Sequence, residues 1–194
     1  MKKSTEFGSP VLDIIKKRRS RRAYADKIVE PEKIRSLFEA ARWAPSSLNE
    51  QPWFYIYATR DQEDLYDKIF EALKEGNKIW ARQAPLLIVS LVRKNFIRFD
   101  SPNPSAKYDL GAANAFLSLQ AAHLGLNVHQ VAGFEVQTMI RNLRIPDRYE
   151  PVIVMAIGSP GDVESLPENL KLRELSPRER YVEQEFVMNS AFNE

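Results

Sequence analysis

From Leu110 to Leu124 the chain carries apolar residues on nearly every side of a helix, and Gly125 ends the run. A helix without a water-facing side must be wrapped by other elements, so a buried central helix is expected. Ile34, Leu37, Phe38 and Ala41 follow helical spacing behind Pro31, a residue suited to a first turn. A further helix is predicted from Asp61 to Glu75, with Leu65, Ile69, Ala72 and Leu73 on one face and Gly76 and Asn77 as its stop. Val136, Met139, Ile140 and Leu143 mark another amphipathic helix. β-Branched and aromatic residues predict strands at Trp53–Ala58, Leu86–Val92, Asn127–Val131 and Val152–Ile157. Helices and strands mix without strict alternation, which favours an α+β sandwich over a doubly wound sheet. Ser159 to Pro177 is polar and holds prolines, so it reads as an extended surface arm, and Val182 to Val187 reads as a strand. A strand on so long an arm can pair with a neighbouring molecule's sheet.

With 44% apolar residues among 194, and no repeat or flexible linker, one domain covering 1–194 is expected, its arm and last strand at 159–194. The net charge of +2 is too small to argue by itself for nucleic acid or an anionic membrane. Cysteine is absent, which excludes disulfides and thiolate chemistry and is compatible with a reducing cytoplasm. No apolar stretch follows the positive start Met1 to Glu6, so no secretory signal is expected. The most apolar stretch, Pro85 to Val92, is far short of the ~20 residues of a membrane helix. A soluble, cytoplasmic protein with no membrane partner is the expectation.

Four constellations can carry chemistry. The run Lys16-Lys17-Arg18-Arg19-Ser20-Arg21-Arg22 suits the basic end of a helix, a nucleic-acid patch, or a phosphate clamp in which guanidinium forks meet phosphate oxygens beside a hydroxyl donor. Pro45-Ser46-Ser47-Leu48-Asn49-Glu50-Gln51-Pro52 is either a plain connection or a polar wall whose carboxamides match the imide edge or polyol of a heterocycle. In His129-Gln130-Val131-Ala132-Gly133-Phe134, where a strand runs into a helix, the glycine either eases a tight turn or lets backbone N–H groups approach a planar ligand. Arg178 and Arg180 alternate around Glu179, so an extended chain points both to one side, as surface charge or as a second anion clamp. His123 and His129 read as packed or surface residues, and no metal site is expected.

Taken in this order, the constellations resemble the FMN-dependent nitroreductase family over nearly the whole chain. The pieces that carry the likeness are Arg18 to Tyr24 and Pro45 to Trp53, supported by Asp109 to Ala113, Ala132 to Phe134 and Ile157 to Pro160. No Gly-x-Gly-x-x-Gly unit of a Rossmann domain is present. The resemblance implies a three-layer sandwich, with helices flanking a mixed, mainly antiparallel sheet and a C-terminal arm exchanged between the subunits of a homodimer. It implies FMN as cofactor and NAD(P)H as hydride donor, with a nitroaromatic, quinone or related small oxidant reduced by a ping-pong mechanism.

Arg18, Arg19 and Ser20 would then hold the phosphate and ribityl chain, joined by Arg178 and Arg180. Arg22 would sit beside the flavin N1–C2=O2 edge, where negative charge develops on reduction, and Asn77 would meet the pyrimidine edge. The Ala132 and Gly133 backbone would face N5, which makes Arg22 and Gly133 the two positions nearest the chemistry. Pro45, Ser46, Ser47 and Asn49 would form a cofactor wall supplied by the other subunit, and Gln51 would be a further cofactor contact. Where many relatives have a basic residue three places after the asparagine this chain has Trp80, and where some have an acid it has Ala132. The chain is also shorter than many relatives, which trims the segment over the pocket; Asn95 to Lys107 is the candidate cover, with Phe96, Phe99 and Tyr108 as its contacts. The same scaffold supports reductive dehalogenation and other flavin chemistry. A basic nucleic-acid module using Lys16 to Arg22 is the non-enzymatic alternative, although no helix-turn-helix or aromatic-interleaved surface accompanies the run.

Overall fold

The computed structural model describes residues 1–192. In chain order the elements are β1 (Lys3–Ser4), α1 (Asp13–Lys17), α2 (Pro31–Arg42), β2 (Trp53–Thr59), α3 (Glu63–Glu71), α4 (Glu75–Ala81), β3 (Leu86–Arg93), α5 (Ala106–His123), β4 (Asn127–Val131), α6 (Val136–Leu143), β5 (Tyr149–Gly158), α7 (Glu168–Leu175) and β6 (Arg180–Tyr181). Four strands form an antiparallel sheet in the order β2-β3-β5-β4, and β1 pairs with β6 in a separate short ladder.

The layering follows from alternation along the strands. Leu87, Val89 and Leu91 of β3, with Val154 and Ala156 of β5, face a core shared with Tyr66, Ile69, Phe70, Trp80 and Met139 of α3, α4 and α6. Leu86, Ile88, Met155 and Ile157 face the opposite way, against Leu37 and Ala41 of α2 and Ala113, Leu117 and Ala121 of α5. The expected three-layer α+β sandwich is therefore present, with every pair in the main sheet antiparallel.

α5 is anchored by polar groups as well as by packing. Buried Asn114 donates from Nδ2 to Ser90 Oγ at 3.1 Å and accepts from the Tyr55 hydroxyl at 3.1 Å, while Ser118 donates to Asn114 O at 2.7 Å. Each of these groups has lost water and found a partner, as burial demands. After Leu124 the chain turns through Gly125 at φ +73°, a conformation that favours glycine.

Three expectations are corrected. The helix predicted over Asp61–Glu75 is two helices, and Gly76 and Asn77 lie inside the second instead of stopping the first. The break has a tertiary cause: Lys74 N–H bonds Gly133 O at 3.0 Å and Glu135 N–H bonds Ala72 O at 2.7 Å, and the chain is extended at Lys74, between the two helices. The arm from Ser159 to Pro177 is not simply extended. It contains α7, whose Leu170 and Glu174 are buried, and Pro167 precedes the first turn, where its missing N–H costs nothing. Val182 to Val187 forms no strand; Glu183–Glu185 make a 3₁₀ turn, and the pairing residues are Arg180 and Tyr181. Val182, Phe186 and Val187 also fit a helical period, so their apolarity alone could not decide between turn and strand.

Candidate functional site

The basic run leaves α1 at Arg18, its C-cap, and continues as non-helical chain to Tyr24. Several of its side chains turn toward backbone carbonyls. Arg19 Nη2 donates to Ser176 O at 2.8 Å, and Arg21 Nη1 donates to Glu174 O at 2.8 Å. From the other end of the chain, Arg178 Nη1 donates to Arg18 O at 2.7 Å and its Nη2 to Lys16 O at 3.1 Å. Arg178 thus caps the last carbonyls of α1, where a cation also offsets the helix dipole. The result gathers Arg18, Arg19, Arg178 and Arg180, the four arginines assigned to a phosphate.

Their electrostatics are those of a site short of negative charge. The Arg18 guanidinium is pushed below its usual range by burial and then by Arg178, Arg180 and Arg19. Arg19 is lowered in the same way by burial and by Arg21 and Arg178. Among the described residues none of Arg18, Arg19, Arg178 and Arg180 forms an ion pair, whereas Arg22 has one with Glu174. An anion bound here would relieve that repulsion. Arg18 and Ser20 also line a cleft of about 310 Å³ with Ala115, Ser118 and Leu119 of α5 and Val128 and Gln130 of β4.

β4 and α4 connect this cleft to the remaining predicted residues. Val128 and Gln130 face the cleft, and His129, on the opposite side of β4, packs at 4.6 Å from the Trp80 ring. His129 Nδ1 lies 3.1 Å from Arg21 O, and burial, followed by the nearby Arg22 charge, lowers its pKa to about 4. The ring is therefore neutral near pH 7, with its Nδ1 proton donated to that carbonyl. Arg22 places its Cζ 5.9 Å from the Trp80 ring and its Nη1 3.8 Å from Glu174 Oε2.

Asn77, one turn before Trp80 on α4, donates from Nδ2 to Gly133 O at 2.9 Å. A Cβ on Gly133 would come within 2.5 Å of that Nδ2, so glycine is what permits the approach. Ala132 beside it is exposed. Arg22, by way of Trp80, and Asn77, Ala132 and Gly133 are thereby joined through α4 and the end of β4.

The loop Pro45 to Gln51 lies elsewhere. Leu48, Asn49 and Gln51 adopt positive φ angles of 54°, 53° and 50°, and side chains brace the turn. Asp109 Oδ2 accepts from Ser47 N–H at 3.1 Å, Ser46 Oγ accepts from Gln51 N–H at 3.0 Å, and buried Glu50 accepts from Ile97 N–H. Pro45, Asn49 and Gln51 face outward. Asp109 and the cleft residue Ser118 are nine positions apart on α5, about 14 Å along its axis. Within one chain the loop and the arginine cluster are thus held toward different ends of α5. The Glu50 contact also ties the candidate cover segment, whose Phe96 and Phe99 rings meet edge-on at 6.1 Å, to this loop.

A family model described as "Nitroreductase family" matches residues 15–159, most of the chain and all four strands of the main sheet. The chain belongs to the nitroreductase family. A protein of Archaeoglobus fulgidus, provisionally named NADH dehydrogenase/NAD(P)H nitroreductase, is 30% identical over 78% of this nitroreductase-family chain and 86% of its own length. A crystal structure described as an oxidoreductase containing FMN is 31% identical and superposes with a TM-score of 0.91, covering 97% of this chain and 96% of that one. The FMN complex of a provisionally named nitroreductase from Desulfovibrio desulfuricans is 25% identical with a TM-score of 0.74, covering 96% and 100%.

Sequence reasoning missed Glu174 and Ser118, and it gave Gln130, within the string His129 to Phe134, no role of its own. Glu174 sat in a segment read as an arm, and only the four-residue spacing of Leu166, Leu170 and Glu174 signalled a helix there.

Proposed function

We propose that this chain is an FMN-dependent oxidoreductase that takes reducing equivalents from NAD(P)H and passes them to a nitroaromatic, quinone or related small oxidant. The observation that carries the reading is the arginine cluster, whose four members form no ion pair among the described residues and whose Arg18 lines a cleft with Ser20, in a chain of this family. Its donor set fits a phosphate: guanidinium forks and a hydroxyl gathered around a deficit of negative charge. When bound, FMN supplies the redox chemistry, accepting hydride at N5 and delivering electrons onward.

The chain's own residues bind and orient. Arg18, Arg19, Ser20, Arg178 and Arg180 hold the phosphate end. Arg22 offsets charge that develops at the N1–C2=O2 edge. Asn77 spends its Nδ2 on Gly133 O, which leaves the Oδ1 acceptor for the pyrimidine edge. Ala132 and Gly133 present backbone with little side chain, so donor and oxidant approach the same face in turn, the basis of ping-pong kinetics. Protons for the oxidant come from water.

The site is completed by a second copy of the chain, whose Pro45, Ser46, Ser47, Asn49 and Gln51 form the facing wall. Three observations support a homodimer. The loop and the arginine cluster of one chain lie toward different ends of α5; α5 exposes Tyr108, Gly111, Ala115 and Phe116; and Phe186, Val187, Met188 and Phe192 stand exposed on the C-terminal arm. The arm is proposed to exchange between subunits, each copy forming one domain, in the cytoplasm.

The test is to load the purified protein with FMN and mix it anaerobically with NADH or NADPH. The yellow band should bleach and return on adding a quinone or nitroaromatic, and steady-state double-reciprocal plots should be parallel. Failure of either nicotinamide to bleach bound flavin would reject the activity.

A further inference from the structure

The structure points to Glu174 as a positioning residue: we propose that it sets the reduction potential of the bound flavin through Arg22. The inference rests on the reading that Arg22 lies beside the flavin edge that becomes negative on reduction.

Glu174, on α7, is 3% exposed. Its Oε1 accepts from the Arg22 backbone N–H at 2.9 Å, and Arg21 Nη1 donates to its carbonyl, so α7 and the basic run are locked in register. Its Oε2 sits 3.8 Å from Arg22 Nη1 and is buried with no hydrogen-bond partner among the described residues. A buried carboxylate with an orphaned oxygen is a poor device for stability. At 3.8 Å it attracts the guanidinium without consuming its N–H donors, which stay available for another acceptor. The Trp80 ring backs the same guanidinium at 5.9 Å. Arg22 thus has a ring and a carboxylate as neighbours, and His129, packed against the same Trp80, is neutral and adds no charge.

Two functions follow for the carboxylate. It fixes where Arg22 points, and it offsets part of the Arg22 charge. Negative charge arriving on the flavin edge is stabilised by Arg22, whose guanidinium Glu174 draws toward itself and so holds back from that edge. Removing the Glu174 charge therefore favours the reduced cofactor.

Glu174→Gln keeps an acceptor for the Arg22 N–H at nearly constant volume and deletes the charge. A redox titration of the flavin-loaded variant beside the parent should show about a tenfold greater preference for reduced over oxidised flavin, a rise of about 30 mV for a two-electron couple. In an Arg22→Gln background the same substitution should move the potential by less than about half as much, because its effect runs through Arg22. A merely structural Glu174 would lower stability or flavin retention and leave the potential where it was. If Glu174→Gln does not retain flavin, Glu174→Asp draws the carboxylate back by one methylene and should raise the potential by a smaller step. An unchanged or lowered potential, or a full shift in the absence of Arg22, overturns the proposal. Failures are separable: a protein that holds no flavin, or an Arg22→Gln potential equal to the parent's, rejects the reading of the site and this inference with it. Bound flavin with a lowered Arg22→Gln potential and an unmoved Glu174→Gln potential rejects the role of Glu174 alone.

Discussion

Arg22 and His129 both lie against the Trp80 ring. Arg22 stands near Trp80 and Glu174, and His129, half-buried, has its pKa lowered to about 4. For Arg22→Gln the account expects a flavin potential lowered by about 30 mV if the lost differential interaction is about 1.4 kcal/mol. A spectroscopic titration of the loaded variant checks it, and an unchanged potential with weakened FMN would move Arg22 to the phosphate end. For His129 the sign follows from proton counting. Between its unfolded value near 6.5 and the folded value near 4, the unfolded chain binds more protons. Stability is then fully present above about pH 6.5 and is lost as pH falls toward 4, by roughly 3 kcal/mol at most from this group. His129→Asn, whose amide can donate to the Arg21 carbonyl as Nδ1 does, should lose less stability between pH 7 and pH 4.5 than the parent in urea unfolding. Equal losses in the two proteins would contradict the assignment.

At the scale of elements, α1 and α4 carry the site, and both are short. Arg178 caps α1 from 160 residues away while standing in the phosphate cluster, so it serves structure and ligand together. Among the described residues Arg180 makes one side-chain bond, to its neighbour's carbonyl, Glu179 O. Replacing both with Ala should weaken FMN about ten- to a hundredfold and riboflavin much less, since one charge-assisted contact is worth about 1.5–3 kcal/mol. Equal weakening of the two flavins in a fluorescence titration would remove these arginines from the phosphate. Gly133→Ala forces the Asn77 amide aside and should cost about 1 kcal/mol of stability, the typical worth of one hydrogen bond. Adding Asn77→Ala should cost less on that background than on the parent, and strict additivity in denaturant melts would show that the two residues do not interact.

The elements themselves were legible to unequal degrees. β3, α5 and α6 announce themselves by period and burial. The break at 72–74 is invisible locally, because its cause is pairing with residues 133–135. α7 was hidden by prolines and charge, and with it Glu174, whose partner Arg22 lies 152 residues earlier. The basic run and Gly133 stand in recognisable strings and could be proposed from them, whereas Asn77 stands in none and entered only through the family resemblance.

Across the whole molecule, the two halves of the predicted cofactor site are held toward different ends of α5, with exposed apolar residues along the helix between them. The central claim is that the arginine cluster binds FMN and that a second copy of the chain closes the site. Light scattering coupled to absorbance on the FMN-loaded protein tests it directly. The account predicts a species of about twice the 22.4 kDa chain mass carrying one flavin per chain, with the flavin lost as dilution yields monomer. A monomer that retains stoichiometric FMN, or a dimer that takes up none, would contradict it.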